Sequence, residues 1–295
     1  MSASFFCAND KEIVVFLFKL CIIEKAIQYG GISMNEYIIA IILGIIEGAT
    51  EFLPVSSTGH MILAGSMMGF TGEVATVFEV VIQFGAILSV LFIYRDRYLN
   101  MLRPKAGGKH LTMMHVAAGI VPVMGIAYFL HSPIKEYLFS PMTVIMALIV
   151  GGLFMLFAEK VSKEPRITDV DQLTVKEATL VGIFQVLSLW PGFSRSGSTI
   201  AGGLLLGLSR KAAADFSFII AAPLMFVACS YDFLKIYDKL SMDDLAVFAI
   251  GFVTAFIFAY VSVIWFLRFL NNSSLASFAY YRFLLAAVSY YYFFF

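Results

Sequence analysis

Charge is scarce in this chain. Lys, Arg, Asp and Glu make up 14% of its 295 residues, against about 25% in ordinary soluble domains. The 20 basic and 20 acidic side chains cancel, so no basic surplus exists to meet a phosphate backbone, and nothing points to nucleic acid as a partner. Cysteine is scarcer still. Cys7, Cys21 and Cys229 are too few and too scattered for a disulfide framework or a zinc site and read as ordinary buried thiols. Long polar stretches are missing too: the longest linker runs only from about Glu159 to Lys176, so no soluble domain is appended.

What remains is apolar. Hydrophobic residues reach 60% and the mean hydropathy is +0.88. A spanning helix needs about 20 such residues, and the clearest candidates are Val74–Tyr94, Pro141–Ala158, Ala212–Leu234 and Leu245–Leu267. The fold class is therefore an all-α polytopic membrane protein. Ile13–Ile23 is too short to span and is interrupted by Lys19, with no small-residue cleavage site behind it. Residues 1–33 read either as an N-terminal extension or as a misassigned start. In the second case Met34, after Tyr29–Ser33 encoded by a purine-rich ribosome-binding site, is the initiator.

An internal repeat organises the rest. GIIEGATEFLPVSSTGH begins at Gly44 and GIFQVLSLWPGFSRSGS at Gly182, a shift of 138. At that shift, without gaps, Gly44 meets Gly182, Ser56 meets Ser194, Gly59 meets Gly197, Gly69 meets Gly207 and Phe78 meets Phe216. Repeat one covers about 35–158 and repeat two about 173–295. Each copy begins with two short apolar arms around a Gly/Ser-rich tip: Ile38–Leu53 and Met61–Met68, then Ala178–Trp190 and Thr199–Leu208. Arms this short predict re-entrant hairpins. Such backbone is tolerated at membrane depth only against protein or a wet cavity, so paired interruptions point to a midplane site between repeats.

Basic loops set the orientation. Arg95, Arg97, Arg103, Lys105 and Lys109 place the loop after Tyr94 inside, and Lys160, Lys163, Arg166 and Lys176 do the same for Glu159–Lys176. The loop near His131–Ser140 and the acidic Asp238–Asp244 loop then fall outside, Arg268 inside and the C-terminus outside. The first hairpin opens outward and the second inward. The expectation is an inverted-topology repeat with about six transmembrane helices plus two re-entrant hairpins. Gly119, Gly125, Gly151 and Gly152 suit close helix packing, either within the chain or between the protomers of a homodimer.

The tips carry the chemistry. Glu47 and Glu51 are i,i+4 and face the same way on a helix. Each costs about 2.5–3.5 kcal/mol at membrane depth unless compensated, and Arg195 is the obvious opposite charge. On the second tip, Arg195 is joined by Ser194, Ser196, Gly197, Ser198 and Thr199. An arm beginning near Ser198 would aim a helix N-terminus at the tip, which favours an anion. Ser56, Thr58 and Gly59 offer a matching cradle, and together they read as a phosphate site gripped by the Arg195 guanidinium. Ser57 and His60 are i,i+3, so a helical turn would bring hydroxyl and imidazole within hydrogen-bond reach. That is the minimum for covalent catalysis, with Glu51 placed to orient or charge-stabilise the ring. Copy two lacks this set: Gln185, Leu189, Arg195 and Ser198 replace Glu47, Glu51, Ser57 and His60.

EGATEFLPVSSTGH and PGFSRSGST closely resemble the two signature motifs of the bacitracin-resistance (BacA/UppP) family of undecaprenyl-diphosphate phosphatases. The likeness runs from about Met34 to the C-terminus and includes FEVVIQFGAILSV (Phe78–Val90) and YYRFLLAA (Tyr280–Ala287). Departures lie in the leader and in the aromatic tail SYYYFFF. The resemblance implies a bacterial inner-membrane hydrolase, and the outward-opening first hairpin puts its site on the outer side. It would convert a polyprenyl diphosphate lipid to the monophosphate carrier of peptidoglycan synthesis and thereby confer bacitracin resistance. By matching position it implies Glu47, Glu51, Ser57, His60 and Arg195 as functional residues. It also implies a divalent cation, Mg2+ or Ca2+, which the Glu47/Glu51 pair suits because hard cations prefer oxygen ligands. The expected reaction is attack by Ser57 assisted by His60, with His60 itself or a metal-activated water as alternative nucleophiles. A polyprenyl-phosphate transporter is the competing class, because inverted repeats with broken helices are transporter architecture.

Overall fold

A computed structural model describes residues 36–102, 110–138, 140–236 and 245–295. The leader with Met34, Cys7 and Cys21, the basic residues Arg103, Lys105 and Lys109, and the Asp238–Asp244 loop lie outside the described residues. Those described hold eleven α-helices: α1 (Glu36–Thr50), α2 (Ser57–Met67), α3 (Glu73–Ile93), α4 (Arg95–Met101), α5 (Met113–Leu138), α6 (Pro141–Val161), α7 (Val175–Gln185), α8 (Arg195–Leu205), α9 (Arg210–Ile236), α10 (Leu245–Phe269) and α11 (Ala276–Phe294). Among them there is no β-strand, only an isolated bridge between Ile167 and Leu208.

Five helices are long and apolar enough to cross a membrane: Val74–Ile93, Met113–Leu130, Pro141–Val161, Arg210–Lys235 and Leu245–Phe269. Helix α11 has 19 residues, but its tyrosines and Arg282 dilute its apolar character. Large apolar side chains such as Leu153, Phe157, Val253 and Ile257 face outward, as a lipid-facing surface requires. One loop is shorter than expected. Helix α5 runs on to Leu138, so most of 131–140 is helix; its apolar window stops at Leu130, and leaving the hydrocarbon does not by itself end a helix.

Both hairpins form as the repeat predicts. Helices α2 and α8 have 11 residues each, about 16 Å of rise, half of a hydrocarbon core about 30 Å thick. Their ends are built alike. Gly69 and Gly207, at φ 66° and 83°, close α2 and α8 with the same pair of turns. Phe70 N donates to Gly65 O and Gly69 N to Ser66 O; Leu208 N donates to Gly203 O and Gly207 N to Leu204 O. The arms pack on helices of the opposite repeat, α1 on α10 and α7 on α5. The approach is so close that a Cβ on Gly48 would lie 2.4 Å from the Ala255 carbonyl oxygen, and one on Gly182 2.5 Å from that of Gly119. Gly119, Gly151 and Gly152 all pack inside the chain, against Ile220, Arg282 and Phe283, whereas Gly125 faces open space.

Polar ties close one end of the bundle, the one sequence charge assigns to the inside. Arg97 pairs with Asp171 at 2.9 Å and Arg166 with Glu177 at 2.6 Å. Arg210 grips Glu159 through Nε and Nη2, and Glu159 also accepts the Leu275 amide. Higher up, Pro223 interrupts α9 and leaves the Ile219 carbonyl without its helical donor. The Tyr98 hydroxyl fills that gap at 2.8 Å.

Candidate active site at the facing hairpin tips

Each short helix is entered through a serine in the left-handed region: Ser56 at φ 70° and Ser194 at φ 77°, the only non-glycine residues with positive φ among those described. Such backbone costs of the order of 1–3 kcal/mol and persists where its surroundings enforce it. Part of the enforcement is a side-chain cap: Gly59 N donates to Ser56 Oγ and Gly197 N to Ser194 Oγ, at 3.3 and 3.1 Å. Helix α8 therefore begins at Arg195 rather than near Ser198, because the Ser194 cap starts it three residues earlier. The first amides of α2 and α8, those of Ser57, Thr58, Arg195 and Ser196, have no intrahelical acceptor and form the positive end of each helix.

The tips are tied to each other. Glu51 Oε2 accepts the Ser57 hydroxyl at 2.5 Å, and Glu51 Oε1 accepts Arg195 Nη2 at 3.0 Å. One carboxylate thus joins a nucleophile-type hydroxyl on the first tip to a guanidinium on the second, 144 residues away. The Glu51 and Arg195 side chains are 10% and 11% exposed, which is deep enough to keep the pair unscreened yet open on one side. The Phe52 ring lies 5.3 Å from the guanidinium carbon, and Arg195 also reaches the Ser217 carbonyl and the Met225 sulfur. A second tie is Ser196 Oγ donating to the Leu53 carbonyl at 2.8 Å.

The hydroxyls expected to line a phosphate cradle divide. Ser56 and Ser194 stand at the tips as caps, and Thr58 is exposed. Ser198 and Thr199 are fully buried and turn away: both donate to the Arg195 carbonyl, and Thr199 also meets Ser217 Oγ at 2.6 Å. Their protons hold the start of α8.

Nor does the expected Ser57–His60 contact form. Ser57, as the first residue of α2, points back to Glu51. His60 Nδ1 lies 2.8 Å from the Ser56 carbonyl and Nε2 2.7 Å from the Tyr281 hydroxyl, so Glu51 orients the serine and not the imidazole. Glu47 is 1% exposed, and its Oε1 has no hydrogen-bond partner. Among the described residues no group of three or more His, Cys, Asp or Glu is placed to hold a metal.

Two neighbours escaped the sequence reading. Tyr281 stacks on His60 with centroids 5.5 Å apart and planes 10° apart. Arg282, fully buried, donates through Nε to Leu148 O, through Nη1 to Phe193 O and Met155 Sδ, and through Nη2 to Ala147 O and Gly192 O. All five of its donors are used, and two of them pin the turn into the second tip. An arginine inside the last apolar helix was the available signal, since intramembrane charges mark function or anchoring.

Two helix N-termini, an arginine and a serine–carboxylate pair meet within a multi-pass helical bundle, groups of the kind that suit an anion. Comparison with known proteins gives the family. The family model described as "Bacitracin resistance protein BacA" matches residues 40–288. "Undecaprenyl-diphosphatase 1" of Bacillus thuringiensis (strain Al Hakam) is 47% identical over 256 residues, 86% of this chain and 97% of that protein. The protein of the same name from Bacillus anthracis is 46% identical over the same coverage. The chain belongs to the bacitracin-resistance family.

Proposed function

We propose that this chain hydrolyses undecaprenyl diphosphate to undecaprenyl phosphate and inorganic phosphate, recycling the lipid carrier of cell-wall synthesis. The observation that carries this reading is the Ser57–Glu51–Arg195 arrangement, which supplies a nucleophile, a proton acceptor and an anion clamp at one point. Ser57 Oγ attacks the terminal phosphorus, and its proton passes to Glu51. The Oγ–P bond forms as the P–O bond to the lipid monophosphate breaks. Glu51 hands that proton to the departing lipid monophosphate. Water then attacks the phosphoserine and gives a proton to Glu51, which returns it to Ser57 Oγ as the Oγ–P bond breaks and inorganic phosphate leaves. Arg195 releases part of its hold on Glu51 to grip the phosphoryl oxygens, helped by the first amides of α2 and α8. Glu51 thus takes the proton-accepting part that spacing had given to His60.

A divalent cation suits Glu47 and Glu51: the Glu47 Oε1 atom, buried and unpartnered, is a spare hard-oxygen donor one turn from Glu51. When bound, the ion would neutralise diphosphate charge. The site would lie in a bacterial inner membrane and open to the outer side. Phosphate release from a polyprenyl diphosphate by protein purified in detergent tests the reading, because detergent abolishes vectorial transport. Release that is absent from wild type, or undiminished in Ser57→Ala, overturns it.

A further inference from the structure

The starts of the two short helices, alike in turn and cap, differ in one bond. At the second tip the Ser198 amide donates to the Ser194 carbonyl at 3.0 Å, an ordinary first helical bond. At the first, the equivalent His60 amide stands 3.4 Å from the Ser56 carbonyl, at the weak limit for such a bond. The Ser56 carbonyl is held instead by the His60 side chain, at 2.8 Å. A carbonyl only accepts, so Nδ1 carries the proton. In the neutral ring Nε2 is then an acceptor, and the Tyr281 hydroxyl donates to it. The near-parallel stack fixes the ring plane as well. Tyr281 itself is held firmly, because the next residue, Arg282, ties α11 to α6 and to the second tip.

We infer that Tyr281 is a positioning residue for the reaction, acting through His60: its hydroxyl sets the imidazole tautomer that clamps the strained Ser56 carbonyl and so aims the Ser57 hydroxyl. His60 in this arrangement is a brace rather than a base, since both ring nitrogens are engaged away from Ser57. The inference rests on the hydrolysis reading for its kinetic consequence, while its structural content stands apart from it.

The test combines kinetics with 15N NMR of the imidazoles, of which the chain has only 4. Wild-type His60 should show the Nδ1–H tautomer. Tyr281→Phe should lower kcat about tenfold, as loss of one positioning hydrogen bond implies, with KM changed by less than about twofold, and should convert the His60 signal to a tautomer mixture. His60→Asn, whose amide N–H can still reach the Ser56 carbonyl, should keep at least about tenfold more activity than His60→Ala. In the His60→Asn background Tyr281→Phe should have no further effect. Unchanged kcat in Tyr281→Phe, a loss of kcat with the tautomer unaltered, or additive losses in the double variant would each overturn the inference. Should Tyr281→Phe fail to fold, the wild-type spectrum decides, and a ring protonated at Nε2 overturns it. Wild-type protein that releases no phosphate refutes the hydrolysis reading, and the tautomer still judges the brace.

Discussion

The two hairpin tips share a backbone and differ in almost every reactive group. Ser56 and Ser194 have the same left-handed turn and the same cap, and Gly69 and Gly207 end the following helices with the same pair of bonds. Yet the first tip carries Glu47, Glu51, Ser57 and His60, where the second has Gln185, Leu189, Arg195 and Ser198. Gln185 uses its amide N–H to hold the Gly119 carbonyl, which Glu47, a carboxylate in the same place, has no proton to do; each leaves its Oε1 unpartnered. Duplication preserved what builds a sharp, strained turn inside a membrane. Divergence placed the serine and carboxylates on one copy and the guanidinium on the other, and the Glu51–Arg195 pair ties the two together.

The largest effect should come from breaking that division of labour. Ser57→Ala removes the attacking oxygen and should lower phosphate release at least about 10³-fold. Arg195→Lys keeps the charge at the equivalent position but loses the planar fork, and about 10²-fold loss with a raised KM is expected. Steady-state phosphate release in detergent measures both. A small loss in Ser57→Ala together with a large one in His60→Ala would move the nucleophile to the imidazole.

The tips also differ in what holds them. The second is pinned by Arg282 through the Gly192 and Phe193 carbonyls, whereas the first leans on the Tyr281–His60 clamp and on Ser196 donating to Leu53. Arg282→Met leaves buried carbonyl acceptors unpaired, each worth about 1–3 kcal/mol. A loss of about 3 kcal/mol or more in unfolding free energy is expected, read by denaturant titration in detergent. An unaltered midpoint would mean that the packing of α6 against α11 suffices without the guanidinium.

The repeat, the hairpins and the spanning helices were legible because glycine, serine and hydropathy recur at a fixed shift and element length follows from bilayer thickness. The meeting of Glu51 and Arg195 across the tips was legible too, since charge inside an apolar chain has few explanations. Pairwise chemistry was not. An i,i+3 spacing brings side chains together only within a regular helix, and Ser57 is the first residue after a left-handed turn, so it points back to Glu51 while His60 points to α11. The hydroxyls of Ser198 and Thr199 were misjudged for a related reason: a helix that starts at Arg195 turns them inward. Tyr281 is 221 residues from His60, and no local pattern encodes that contact. The donor, Tyr281, was visible in the sequence only as part of YYRFLLAA.

A smaller effect should expose the matched packing of the arms. Gly48→Ala and Gly182→Ala each place a Cβ within 2.4–2.5 Å of a carbonyl oxygen on the opposing helix. Backbone must shift to relieve that overlap, at about 1–3 kcal/mol each. Equal losses in thermal unfolding would show that the arms are mechanically equivalent although only the first carries carboxylates at its tip end. A loss confined to Gly48→Ala would show that the two contacts have diverged with the chemistry.

The smallest expected effect is the sharpest measure of the shared turn. Ser56→Ala and Ser194→Ala each delete a cap and keep the left-handed strain, for about 1 kcal/mol of stability. Glycine at either position also deletes the cap oxygen, but it adopts φ near 70° without penalty and costs only a few tenths as a cap. The glycine variants should therefore unfold within about 0.5 kcal/mol of wild type and be the more stable of each pair. Activity should separate them where stability does not. Ser194→Gly leaves Arg195 on a helix start still held by the Ser198 amide. Ser56→Gly frees a turn whose central carbonyl has its short bond from the His60 side chain, so Ser57 loses its aim and kcat falls further than in Ser194→Gly. Equal kcat in the two glycine variants would mean that the strained serine turn serves the fold alone.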